Sequence, residues 1–132
     1  MKAFKKAVEA RDFETIEKLL SDDVVFRSPV AHNPYPGKAI TLAILRHVIE
    51  VFEDFTYVRD IGADDAKDHA LVFTAAVSGL ELTGCDFIQL DDAGRIIDFM
   101  VMVRPLSAAQ AVAREMAARY EQIQQDARDW AS

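Results

Sequence analysis

Apolar residues repeat at helical spacing through the first 55 positions, and thereafter alternate until about residue 103. Phe4, Ala7 and Val8, then Phe13, Ile16, Leu19 and Leu20, predict two short helices within 2–20, with Asp12 as the N-cap of the second. Ser21-Asp22-Asp23 interrupts that pattern and 24–28 predicts a short strand. Residues 29–37, with three prolines and a glycine, predict a loop, because such a segment sustains neither a helix nor an interior strand. A third helix is predicted over 38–55. Its apolar residues, from Ile40 to Phe52 and Phe55, cover more than one stripe, which implies packing on two sides.

Residues 56–61, 69–78, 81–90 and 95–103 then read as strands separated by short turns, hence as an antiparallel meander. Residues 107–131 predict one long helix striped by Val112, Met116, Tyr120, Ile123, Ala127 and Trp130. Helices, then a sheet, then a helix make an α+β layout in a single domain spanning 1–132. Side-chain alternation places Gly84, Asp86, Ile88 and Leu90 on one face of their strand. Across the meander that face continues into Leu71, Phe73, Ala75 and Val77, and into Phe99, Val101 and Val103. The opposite face carries Val72, Cys85, Phe87, Met100 and Met102, so both faces are apolar and the second needs a cover: the terminal helix or another subunit.

Asp86 is the anomaly in this pattern. A carboxylate on an apolar face either takes up a proton at elevated pH, as a site acid does, or is satisfied by backbone amides or a buried neighbour. A titratable partner would have to come from the three histidines. His69 shares the parity of Leu71 and Phe73, His32 lies in the proline-rich loop, and His47 lies on the third helix. Their spacings of 15 and 22 residues, without an acidic motif, match no metal-ligand pattern, so no metal is expected. Cys85 has no base beside it in the pattern and reads as a small hydrophobe.

Composition narrows the partners. The net charge of −7, without a basic cluster, opposes nucleic-acid binding. The single cysteine, an N-terminus without a signal-peptide apolar core, and no apolar run near ~20 residues point to a cytoplasmic protein that does not enter a membrane.

The run D-F-E-T-I-E-K-L-L-S-D-D-V-V-F-R-S-P-V at 12–30, P-Y-P-G-K at 34–38, G-C-D-F at 84–87 and D-D-A-G-R-I-I-D-F-M-V-M-V-R-P-L at 91–106 resembles the SnoaL-like, nuclear transport factor 2-like superfamily. The resemblance implies a cystatin-like cone, a curved antiparallel sheet wrapped around helices to leave an internal pocket. It also implies a homodimer built on the outer sheet surface. Pocket walls would then come from Phe52, Phe55, Leu71, Phe73, Phe99, Val101 and Val103, with Ser28 and Tyr35 supplying hydroxyls.

Measured against the ketosteroid isomerases of that superfamily, the protonated oxyanion-hole aspartic acid falls on Asp86, the general-base aspartate on Ser28 and the oxyanion-hole tyrosine on Phe4. One of three chemical groups survives. The resemblance thus implies a pocket for a small, largely apolar, polyketide- or steroid-like molecule. Catalysis there would be cofactor-independent acid-base chemistry of isomerase, cyclase or dehydratase type, with Asp86 as acid and His32 or His69 as base. The alternative is a non-catalytic ligand-binding or protein-interaction module.

Overall fold

The computed structural model describes residues 1–132. Helices α1 (Lys2–Glu9) and α2 (Phe13–Leu19) lead directly into strand β1 (Leu20–Arg27). Asp12 caps α2 as the pattern predicts, accepting from the Thr15 backbone N–H at 3.2 Å and from its hydroxyl at 2.6 Å. A two-residue strand β2 (Tyr35–Pro36) precedes α3 (Lys38–Val51). Strands β3 (Glu53–Ile61), β4 (Asp68–Val77), β5 (Leu80–Leu90) and β6 (Ile96–Arg104) follow, then helices α4 (Leu106–Ala118) and α5 (Tyr120–Ala131).

The six strands form one sheet in the order β2-β1-β6-β5-β4-β3. The meander from β3 to β6 is antiparallel, as its short turns require, but β1 joins β6 in parallel and β2 closes the far edge. The expected β1 starts four residues early, because Ser21-Asp22-Asp23 is a register shift within the strand and not a break before it.

Two helix boundaries differ from the periodicity. The third helix stops at Val51: Phe52 is extended and Asp54 takes φ +55°, so Phe55 moves into β3. The apolar residues that prolonged the stripe belong to two elements facing one interior. The C-terminal helix is two helices, broken at Arg119. Tyr120 and Trp130 are exposed, while Val112, Ile123 and Ala127 are buried.

Helices α1 to α5 gather on the inner face of the sheet, around a core that includes Phe4, Ile16, Leu20, Leu71, Phe73 and Phe99, all nearly inaccessible. The terminal pair belongs to this interior: α5 runs along α3, and α4 packs on β4, β5 and β6. The outer face therefore stays open. On it Ile61, Ala70, Phe87 and Met100 lie in one cross-strand row, and Val72, Cys85 and Met102 in the next. Ile61, Phe87 and Met102 are exposed. No helix is long and apolar enough to cross a membrane.

Candidate functional site

The helices do not fill the cone. A cavity of about 470 Å³ remains, within the range of small-molecule sites, and 24 of the 27 residues around it are apolar. Its walls come from almost every element, including Phe26 on β1, Phe52 and Phe55 at the α3–β3 junction, Phe73 on β4, Phe99 and Val101 on β6, and Met116, Tyr120 and Ile123 on α4 and α5. Val30 and Tyr120, both lining and both substantially exposed, mark its mouth.

Asp86 faces this cavity from β5, flanked in register by Leu71 on β4 and Val101 on β6. It is 5% exposed. The Tyr57 hydroxyl on β3 donates to its Oδ2 at 3.1 Å. Burial away from water pushes the Asp86 carboxyl up to about 7, and the Tyr57 hydrogen bond offsets part of that rise. Burial also drives the Tyr57 hydroxyl far above the usual tyrosine range, reinforced by the adjacent carboxylate, so it stays a donor at physiological pH. No lysine, arginine, histidine or second carboxylate lines the cavity. Near neutrality Asp86 is thus poised between an acid that donates a hydrogen bond and a carboxylate that accepts a proton.

Two aromatic clusters hold these walls. Phe55 stacks on Phe73 at 4.7 Å, and Tyr57 stands edge-on to Phe55 at 4.9 Å and to Phe73 at 6.4 Å. In the second, also in the lining, Phe4 and Phe26 each meet Phe99 at 5.6 Å. A polar tip on an aromatic body suits Tyr57 to this place, where its ring packs and its hydroxyl finds a buried partner.

The other residues singled out in the sequence divide. Ser28, Tyr35, Phe52, Phe55, Phe73, Phe99 and Val101 line the cavity. Leu71 is fully buried in the wall beside Asp86 without reaching the open space, and Val103 also lies outside the lining.

The histidines expected as bases lie elsewhere. His32 is exposed on its loop, outside the lining. His69 is buried opposite Ile88, and its Nε2 bonds the Ala66 carbonyl at 2.8 Å, which turns the ring toward the β3–β4 turn and away from the cavity. His47 bonds Asp126 on α5 through Nε2 at 2.7 Å, on the helix-to-helix seam. Cys85 sits on the outer face, where burial pushes its thiol up. Tyr57, the partner of Asp86, is not among the site candidates read from the sequence. Its hydroxyl was the available signal, but the register of β3 shifts on both sides of Tyr57, so spacing along the strand does not fix which way it faces.

Solved structures share this fold. The chain superposes with TM-score 0.83 on the crystal structure of a steroid delta-isomerase from Pseudomonas aeruginosa, at 45% identity over 89% of this chain and 85% of that one. It is similar to a protein with a cystatin-like fold from Silicibacter pomeroyi DSS-3, TM-score 0.84, 36% identity, over 89% and 82% of the two chains. A nuclear transport factor 2-like protein of unknown function from Burkholderia xenovorans LB400, at 16% identity and TM-score 0.66 over 83% and 87%, shares the fold. No curated protein matches the chain. The profile of the SnoaL-like domain matches residues 1–99, which takes in α1 to β5 and the start of β6, with Asp86 and Tyr57 inside the matched span. A cone of this topology, two solved relatives above 30% identity and that match together make the chain a member of the SnoaL-like domain family.

Proposed function

We propose that the cavity binds a small, largely apolar ring compound carrying a carbonyl or hydroxyl, and that Asp86 performs cofactor-independent acid-base chemistry on it, of isomerase, cyclase or dehydratase type. The observation that carries this reading is a buried carboxyl, hydrogen-bonded by Tyr57, that is the only charge-bearing side chain in an apolar cavity. Protonated, Asp86 donates to a ligand oxygen and stabilises negative charge growing there. Ionised, it removes a proton next to that oxygen. With no second base in the lining, both transfers run through this one group. The likeness to a steroid delta-isomerase supports a carbonyl-bearing ring as the substrate class.

A thermal-shift screen of steroid-, polyketide- and terpenoid-like compounds, run on the wild type and on Asp86→Asn with products followed by chromatography, tests this. A ligand at 100 times its Kd raises stability by about 2.7 kcal/mol. The reading expects hits that the wild type converts and the variant does not. No stabilisation of either protein would sink it. A second reading, ligand binding without turnover, rests on Phe4 and Ser28 lining the cavity where the resemblance implies a tyrosine and a base aspartate. Ligands that stabilise both proteins and are recovered unchanged would establish it.

The same reading includes a cytoplasmic homodimer joined through the outer sheet face, supported by the exposed Ile61, Phe87 and Met102. Sedimentation velocity should show a wild-type dimer that Met102→Glu dissociates. A monomeric wild type at micromolar concentration would rule this interface out.

A further inference from the structure

Gly84 lies two residues before Asp86 on the same face of β5, opposite Phe73 of β4. A Cβ at Gly84 would stand 2.2 Å from the Phe73 ring tip, Cζ, and 2.7 Å from both Cε atoms. The glycine is not needed for its backbone, since its φ lies outside the left-handed region. What it supplies is the absence of a side chain, into which the ring reaches. That ring is 1% exposed, packed against Phe55 at 4.7 Å and Phe52 at 5.6 Å, and open only toward the cavity it lines. Beside it stands Tyr57, held edge-on by Phe73 and Phe55, with its hydroxyl on Asp86.

We propose that Gly84 is a positioning residue for the site: by admitting the Phe73 ring tip it sets where Phe73 stands, and Phe73 sets where the Tyr57 hydroxyl meets Asp86. The chain of contacts runs Gly84, Phe73, Tyr57, Asp86, and a methyl group at its first member is transmitted to its last. Rings in contact pass such displacements on, and the Phe73 ring meets Tyr57 edge-on at 6.4 Å. The proposal rests on the Tyr57–Asp86 pair being the functional pair, but its readout needs neither ligand nor turnover.

The test is the carboxyl carbon NMR titration of Asp86 in a double-mutant set. Gly84→Ala should loosen the Tyr57 hydrogen bond, which holds the carboxyl down, and raise the midpoint by about half a pH unit or more. On a Tyr57→Phe background, where that bond is already gone, Gly84→Ala should add nothing. On a Phe73→Leu background, where the ring tip is gone, it should again leave the midpoint of that background unchanged. An unmoved midpoint in Gly84→Ala would overturn the proposal, as would a shift of equal size on either background. If the single variant does not fold, the Phe73→Leu pair decides alone. A folded Gly84→Ala/Phe73→Leu with the Phe73→Leu midpoint supports the transmission, and an unfolded one refutes it, because the clash would then lie elsewhere. Failure here leaves the ligand screen untouched, and an empty screen leaves this titration untouched, so the two ideas fail separately.

Discussion

Asp86 and Asp126 are each hydrogen-bonded by a ring-bearing side chain on another element, Tyr57 at 3.1 Å and His47 at 2.7 Å, yet their acidities move in opposite directions. Asp86 is pushed up to about 7 because it is buried and its one partner is neutral. Asp126 is held below the usual carboxylate range, first by the His47 hydrogen bond, then by Gln122, and it keeps substantial contact with water. Around His47 the seam between α3 and α5 continues into Arg119, which donates to His47 Nδ1 at 3.3 Å and to Glu50 Oε2 at 2.6 Å. Charges at the seam are shared and solvated, whereas the cavity isolates one acid. The seam fastens the helices that line the cavity, and the cavity stores an unfavourable ionisation.

The largest test of this contrast is stability against pH. For Asp86 the folded midpoint lies above the unfolded one, so the unfolded state ionises first and folding is progressively penalised as pH rises from about 4 to about 7. The rise from 3.8 to about 7, at about 1.4 kcal/mol per pH unit, amounts to about 4 kcal/mol. Asp86→Asn keeps the shape and an acceptor for Tyr57 while removing the ionisation. Urea unfolding should find it no more stable than the wild type at pH 4 and more stable by up to about 4 kcal/mol at pH 8. A difference that does not grow with pH would break the comparison at its buried end.

The seam predicts a smaller effect of opposite sense. Asp126 has a depressed folded midpoint, so its contribution is present above the unfolded value and lost as pH falls through the folded one. Its exposure, and that of Glu50, keeps these contributions small. Arg119→Ala should cost less than about 1 kcal/mol in urea unfolding at pH 7, less still in high salt, and leave the Asp86 titration where it was. A larger loss, or a moved Asp86 midpoint, would show that seam and cavity are coupled through α5.

The difference between the two acids also separates what was readable in the chain from what was not. Asp86 is legible because alternation along a strand is local: Gly84, Asp86 and Ile88 must share a face whatever the sheet does, and Leu71, Phe73 and Val101 follow from short turns that fix register. The Asp126–His47 contact is not legible, since 79 residues separate its members and only the packing of α5 along α3 joins them. Tyr57 falls between these cases. It lies in a strand the alternation predicts, but β3 is paired only to β4, and its register shifts around residue 58.

The sequence by itself determined an α+β order, the antiparallel meander, the Asp12 cap and the inward face of Asp86, because each follows from spacing within one or two neighbouring elements. Only the tertiary structure decided that β1 runs parallel to β6, that the third helix ends before Phe52 and that the last helix breaks at Arg119. The apolar stripe continues across both breaks because the residues on either side face one interior. It alone decided that His69, correctly placed by parity, bonds the Ala66 carbonyl instead of reaching the cavity. The partner of Asp86 was decided there too, since a hydrogen bond between residues 29 apart exists only after bulges, curvature and ring packing have set where a hydroxyl points.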